Sequence, residues 1–140
     1  MKQKPIISLL ILGTLTACSA QGPMMRPINQ DLHSARADGF LNPDIELYFG
    51  KTQIKGKNLG TWVSNKKTNS SNKTADEACQ IAFLSAVKSL QDRAVREGGN
   101  AVVDIHSFYD KVPEWSATEY RCKDGHLMSG VALRGTVIKK

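Results

Sequence analysis

Hydrophobic and polar positions set three rhythms along the chain. Ile45, Leu47 and Phe49 alternate with Glu46 and Tyr48 just after Pro43 and end at Gly50. That period of two predicts a strand. A second strand is expected over Leu59 to Val63, including Trp62, followed by a polar Ser/Asn/Lys-rich loop from Ser64 to Lys73. The period then changes. Cys79, Phe83, Val87, Leu90 and Ala94 form one stripe at helical spacing, widened by Ala78, Ile81, Ala82 and Ala86. Thr74 followed by Glu77 reads as a capping box, and Gly98 as the residue that ends the helix. Asp76 and Glu77 suit the positive end of the helix dipole, and Arg93 and Arg96 the negative end.

A third strand follows, in which alternation sends Ala101, Val103 and Ile105 toward the helix and Asp104 and His106 to the other side. After a loop at Val112-Pro113-Glu114, next to Trp115, the last stretch reads as a hairpin. Its arms are Thr118 to Lys123 and His126 to Lys139, and its tight turn is Asp124-Gly125. Leu127, Val131, Leu133 and Val137 alternate along the second arm, with Gly130 and Gly135 as sites of a bulge or close packing. The expected order is β-β-α-β-β-β. This is an α+β domain over residues 43–140, with one long helix laid on a small, mostly antiparallel sheet.

The N-terminal segment follows another rule. Lys2 and Lys4 precede an apolar run from Ile6 to Leu15, too short for a stable bilayer span. The run ends in Leu15-Thr16-Ala17-Cys18, which resembles the lipobox of bacterial lipoproteins. Residues 1–17 are therefore expected to be a signal peptide and Cys18 the acylated residue. Ser19, which is not Asp, fits the sorting pattern for the outer membrane, with the domain facing the periplasm. Residues 18–42, with Gly22, Pro23, Pro27 and Gly39 and no sustained periodicity, read as a tether. Met24, Met25 and the stretch around Leu32 are the places where it could dock. Removing residues 1–17 takes away Lys2 and Lys4 and lowers the net charge from +6 to +4. That balance and export argue against nucleic acid as a partner.

Of three cysteines, Cys18 is assigned to the anchor, which leaves Cys79 and Cys122. In an oxidising compartment two cysteines most simply form one disulfide. Cys79 lies on the apolar stripe, and Cys122 alternates with Arg121 and Lys123 on a strand whose apolar side faces the same core. A crosslink over 43 residues is worth about 4 kcal/mol in the chain-entropy model. A domain of about 100 residues buries only about two-thirds of its surface, so that share is large. The competing reading keeps the thiols free. Cys79 at a helix N-terminus would then be activated, or both would bind metal with His106 and His126. No short CxxC or HxxH spacing supports a metal, and both histidines read as exposed strand-edge residues. No metal or other cofactor is expected.

Lys51 to Lys73 holds six lysines and no acid. Lys51, Lys55, Lys57, Lys66 and Lys67 could contact an anionic envelope polymer, and Trp62 could stack on a sugar or peptide. The alternative is a solvated segment whose lysines protect a sheet edge. Gly50-Lys51-Thr52 imitates the end of a phosphate-binding loop, but Ile45 stands where the first glycine is required. No GxSxG occurs, and no motif places a nucleophile near a base, so no enzymatic activity is expected.

Four segments carry a resemblance: Val63 to Thr68, Glu77 to Gln91, Glu97 to Val103 and Gly130 to Val137. They resemble a group of small exported proteins of Gram-negative bacteria that often carry the label "excinuclease ATPase subunit". The incomplete phosphate loop is at odds with that label. More remotely, a helix followed by Gly-Asn-Ala-Val-Val and a Cys-bearing hairpin is similar to the Rcs stress-sensor lipoproteins and the YbjQ-like domains. The first group implies export but no agreed activity. The Rcs resemblance implies a helix-on-sheet fold in a disulfide-bearing outer-membrane lipoprotein that signals envelope damage, and the YbjQ-like resemblance adds some weight to metal binding. The leading expectation is a non-enzymatic binding or signalling lipoprotein with an envelope protein or anionic polymer as partner. The alternative is a thiol-active or metal-binding envelope protein.

Overall fold

The computed structural model describes residues 23–140; the expected signal peptide and Cys18 lie outside the described residues. The long helix α2 spans Ala75–Glu97. Thr74 caps it through the reciprocal pair with Glu77, which satisfies two of the backbone N–H groups that a helix start leaves unpaired. Gly98 ends it in the left-handed region at φ 76°, where a side chain would be strained. Every residue of the predicted stripe is buried except Ile81, which faces solvent, and alanines at 78, 82, 86 and 94 let the helix lie close on the sheet.

That sheet has six strands: β1 (Pro23–Pro27), β2 (Glu46–Phe49), β3 (Lys57–Asn69), β4 (Ala101–Ser107), β5 (Glu119–Lys123) and β6 (Met128–Lys139). Their order is β1-β5-β6-β4-β2, with β3 along β6. Only the β2–β4 pair is parallel. The class is α+β, as the chain's rhythm predicts, with one strand and one short helix, α1 (Ile28–Ala37), beyond those expected. One core lies between α2 and the sheet, where Phe83 stacks on Tyr120 with ring centroids 3.8 Å apart. Cys79 and Cys122 are joined within it, their Cα atoms 5.8 Å apart and both side chains fully buried.

Four expectations change. First, residues 23–42 are built into the domain rather than forming a tether. β1 pairs with β5 in register from Pro23 opposite Lys123 to Pro27 opposite Glu119. Its prolines sit on an edge strand, where a missing N–H is tolerated. Arg26, buried, donates to the Tyr120 hydroxyl at 3.1 Å, and that hydroxyl donates to Asp31 on α1 at 2.7 Å. Arg26 also pairs with Asp31 at 3.7 Å and with Asp76 on α2. Burial alone would lower the Arg26 pKa, but the Tyr120 bond and the two carboxylates outweigh it and hold it raised. Burial, reinforced by Asp31, pushes the Tyr120 phenol far up, so it stays a donor. The buried amide of Gln91 fastens the next segment, bonding both backbone groups of Asn42 and the carbonyl of Ile45.

Second, the polar stretch after Val63 continues as strand to Asn69, because β6 offers it a partner at every position from Lys57 to Asn69 except one bulge near Gly60. Third, a bulge at Asp104 breaks the alternation of β4. Two residues, Asp104 and Ile105, stand against Gly135 alone. Val102 and Ile105 therefore face α2, whereas Ala101 and Val103 join Ile138 on the opposite side. Fourth, the expected hairpin is nominal. β5 touches β6 only at Lys123 opposite Gly130 and lies instead along β1.

Candidate functional site

The sheet face opposite α2 carries a small buried apolar cluster of Ala101, Val103 and Ile138, with Tyr48 and Ile54 packed against it. Beside that cluster is a concavity of about 330 Å³ lined by Thr61, Asp104, His106, Trp115, Arg134 and Thr136, among others. The bulge builds it. Asp104 holds φ at 53°, a conformation sparsely used by residues other than glycine. Its carboxylate accepts from both the backbone N–H and the hydroxyl of Thr52, at 2.8 and 2.9 Å, which holds it there. The Gly50-Lys51-Thr52 segment thus grips a carboxylate. Gly50 N–H donates to Ile105 O at 2.9 Å, and Lys51 is fixed between the two contacts.

Past the bulge, His106 pairs opposite Arg134. Its Nδ1 lies 2.7 Å from the carbonyl of Asp104. The loop that follows closes back on β4: Ser107 and Glu114 exchange both backbone hydrogen bonds, and Arg121 pairs with Glu114 at 2.6 Å. Closure lays Trp115 on His106 with ring centroids 3.8 Å apart. Trp115 remains 43% exposed, and His106 beneath it only 7%. The Lys51 ammonium is 5.4 Å from the Trp115 ring, and the Arg134 guanidinium rests over Phe108. Neither cation has a carboxylate within 4 Å among the described residues. Desolvation lowers the His106 pKa; the Asp104 carbonyl opposes this, and the Arg134 charge adds to it. The arrangement offers an aromatic shelf, paired hydroxyls of Thr61 and Thr136 on the floor, and two cations outside any ion pair, with the Asp104 carboxylate bonded to Thr52. It suits a flat, hydroxyl-bearing molecule with a negative charge.

The lysine segment is divided among three places. Lys51 joins this concavity, and Lys55 and Lys57 are exposed, Lys57 opposite Lys139 at the far end of β3. Lys66 and Lys67 line another concavity, of about 450 Å³, with Lys88 and Arg96 of α2. Trp62 is partly buried on the helix side, packed against the core with the Arg93 guanidinium 5.2 Å from its ring. His106 is buried under Trp115 rather than exposed at a strand edge, while His126 is exposed in a loop. Among the described residues no three His, Cys, Asp or Glu side chains are grouped to hold a metal.

Sequence reasoning missed Arg134 and the pairing of His106 with Trp115. A tryptophan two residues after a proline in a polar loop is a signal; the register that brings Arg134 to His106 leaves none. Among the described residues four concavities are larger: those of about 510 and 530 Å³ border α1 and hold at most one cation, that of about 450 Å³ has Phe40 as its one aromatic residue, and that of about 420 Å³ has Phe108 and Tyr109 with Lys67 and Lys111 but no stacked aromatic pair. An α+β domain with a stapled core and an open-face aromatic shelf is the class that fold and site define. No family model, curated protein or solved structure matches the chain. No helix among the described residues is long and apolar enough to cross a membrane.

Proposed function

We propose that the chain is an outer-membrane lipoprotein, acylated at Cys18, whose periplasmic domain is a non-enzymatic module that binds an anionic envelope glycan on the Trp115 shelf. One observation carries the binding half: a solvent-facing tryptophan held flat on a buried histidine, with Lys51 and Arg134 beside it, neither within 4 Å of a carboxylate among the described residues, and the Asp104 carboxylate taken up by Thr52. A sugar ring presents C–H groups to an aromatic face, and a phosphate or carboxylate on it would meet the cations. The lipobox-like run before Cys18 supports the anchor. The burial and joining of Cys79 and Cys122 favour a staple over thiol or metal chemistry.

The test is an NMR titration of the mature chain that follows the indole N–H signals of Trp115 and Trp62. Glucosamine 6-phosphate should shift the Trp115 signal and leave that of Trp62 in place, with glucosamine and inorganic phosphate each weaker. The Lys51→Ala/Arg134→Ala double variant should keep its melting temperature and lose the response. A folded protein whose Trp115 signal ignores all three probes would sink the proposal.

A further inference from the structure

One row of residues runs across four strands: Pro23 on β1 lies opposite Lys123 on β5, Lys123 opposite Gly130 on β6, and Gly130 opposite Lys67 on β3. Because β1 is antiparallel to β5, the chain preceding Pro23 leaves the sheet from the end where the Asp124–Leu127 loop and the 70–73 turn project. Cys18 is five residues before Pro23, so an acyl chain on it is joined to this row by at most about 17 Å of extended backbone. A tether reaching to residue 42 would have let the domain tumble in any orientation; five residues do not.

We propose that this end of the sheet rests on the membrane leaflet that holds the anchor, with Leu127 and Met128 entering its interface. The inference rests on acylation of Cys18. Leu127 is 74% exposed, more than any other large apolar side chain among the described residues, and Met128 is 47% exposed. This exposure is not slackness. Ser70 N–H donates to Leu127 O at 2.9 Å, and the Ser129 hydroxyl bonds both Ser70, at 2.7 Å, and Asp124, also at 2.7 Å. A loop tied down at its backbone holds its apolar tip outward. Lys73 follows β3 and Lys123 ends β5, flanking the β6 end; Lys73 is exposed, and the Lys123 ammonium, 5.4 Å from the Tyr109 ring, would leave that ring to meet a headgroup phosphate while the apolar pair sits deeper. Arg134 is four residues along β6 from Gly130, about 13 Å from the row. The Trp115 shelf would therefore face sideways just above the headgroups, within reach of a glycan borne by the same membrane.

The experiment uses the full chain, processed in cells, carrying Leu127→Cys as its one free thiol. An environment-sensitive dye is attached, and the protein is reconstituted in phosphatidylcholine–phosphatidylglycerol vesicles. Val95→Cys, at the opposite end of α2 and 55% exposed, is the reference position. The dye at 127 should shift to the blue and be quenched several-fold more by nitroxide-bearing lipids than the dye at 95; Met128→Cys gives the same reading should Leu127→Cys fail to fold. Equal quenching at the two positions in a chain whose mass shows acylated Cys18 overturns the orientation alone. A blue shift at 127 without lipid quenching assigns the loop to a protein partner and also overturns it. An unacylated Cys18 overturns the anchoring reading itself.

Discussion

Asp31 does the work of several residues. Nearly fully buried on α1, it accepts from Tyr120 and faces Arg26, so a short helix with no side-chain cap is fixed by one carboxylate. Asp31→Ala should leave a buried phenol and guanidinium short of a partner and cost about 3 kcal/mol, the low end for a broken buried pair because Arg26 keeps Asp76. Urea unfolding at neutral pH measures it. His106 makes a pH-dependent contribution. Its pKa in the folded protein lies below the ordinary value near 6.5, so the unfolded chain binds the proton more readily. Stability from this group is complete above that value and is lost as pH falls from about 6.5 toward the lowered one. His106→Phe should flatten this part of the acid limb in unfolding curves compared at neutral and mildly acidic pH. An unchanged limb would mean the histidine is hydrated despite Trp115. His106 and Asp104 were visible as residues, but the bulge that sets their environment depends on Thr52 and Gly135, from distant parts of the chain.

Elements followed their local signals where those signals were self-sufficient. The capping box, stripe and terminal glycine of α2 are all set by residues within the helix and its caps, and the helix forms where they indicate. β6 is different: a central strand flanked by β3 on one side and by β4 and β5 on the other. Gly135 is the point at which β6 passes beneath α2. A Cβ there would come within 2.7 Å of Val102 and 3.2 Å of Ile105, with Leu90 of the helix behind them at 3.6 Å. Gly135→Ala should therefore lower stability by about 1–3 kcal/mol through overpacking, even though alanine is the better strand former. Thermal unfolding checks the sign; a gain would show that the helix has room to lift. The same dependence on partners explains β3. Its Ser, Asn and Lys content reads as loop, and only a ladder on β6, interrupted once near Gly60, makes it a thirteen-residue strand.

For the whole molecule, the N-terminal segment closes one edge of the sheet and one corner of the core. A chain that starts at residue 43 keeps every element the sequence rhythm predicts, yet lacks β1 and α1. It would expose Tyr120 and Leu41-side core surface and leave Asp76 and Tyr120 without Arg26. Such a chain should unfold at markedly lower urea than residues 23–140, with the Cys79–Cys122 bond intact in both. Equal midpoints would return residues 23–42 to the role of a tether. The disulfide and this segment meet at Met24, whose sulfur lies 3.9 Å from Cys79, so the staple and the N-terminal strap reinforce one corner of the core.

By itself the sequence determined the class of fold, the long helix and its ends, and the two cysteines suited to a bond. Each rests on periodicity, capping or pairing rules that act within a few residues or among very few candidates. The tertiary structure decided the true start of the domain, the side of β4 that faces the helix, the company of each lysine and the shelf formed by His106 and Trp115. Those depend on register and on burial of charge by distant partners. A slip of one residue at Asp104 turns every later side chain of β4 over, and Arg26 becomes a core residue only where Asp31, Tyr120 and Asp76 converge on it.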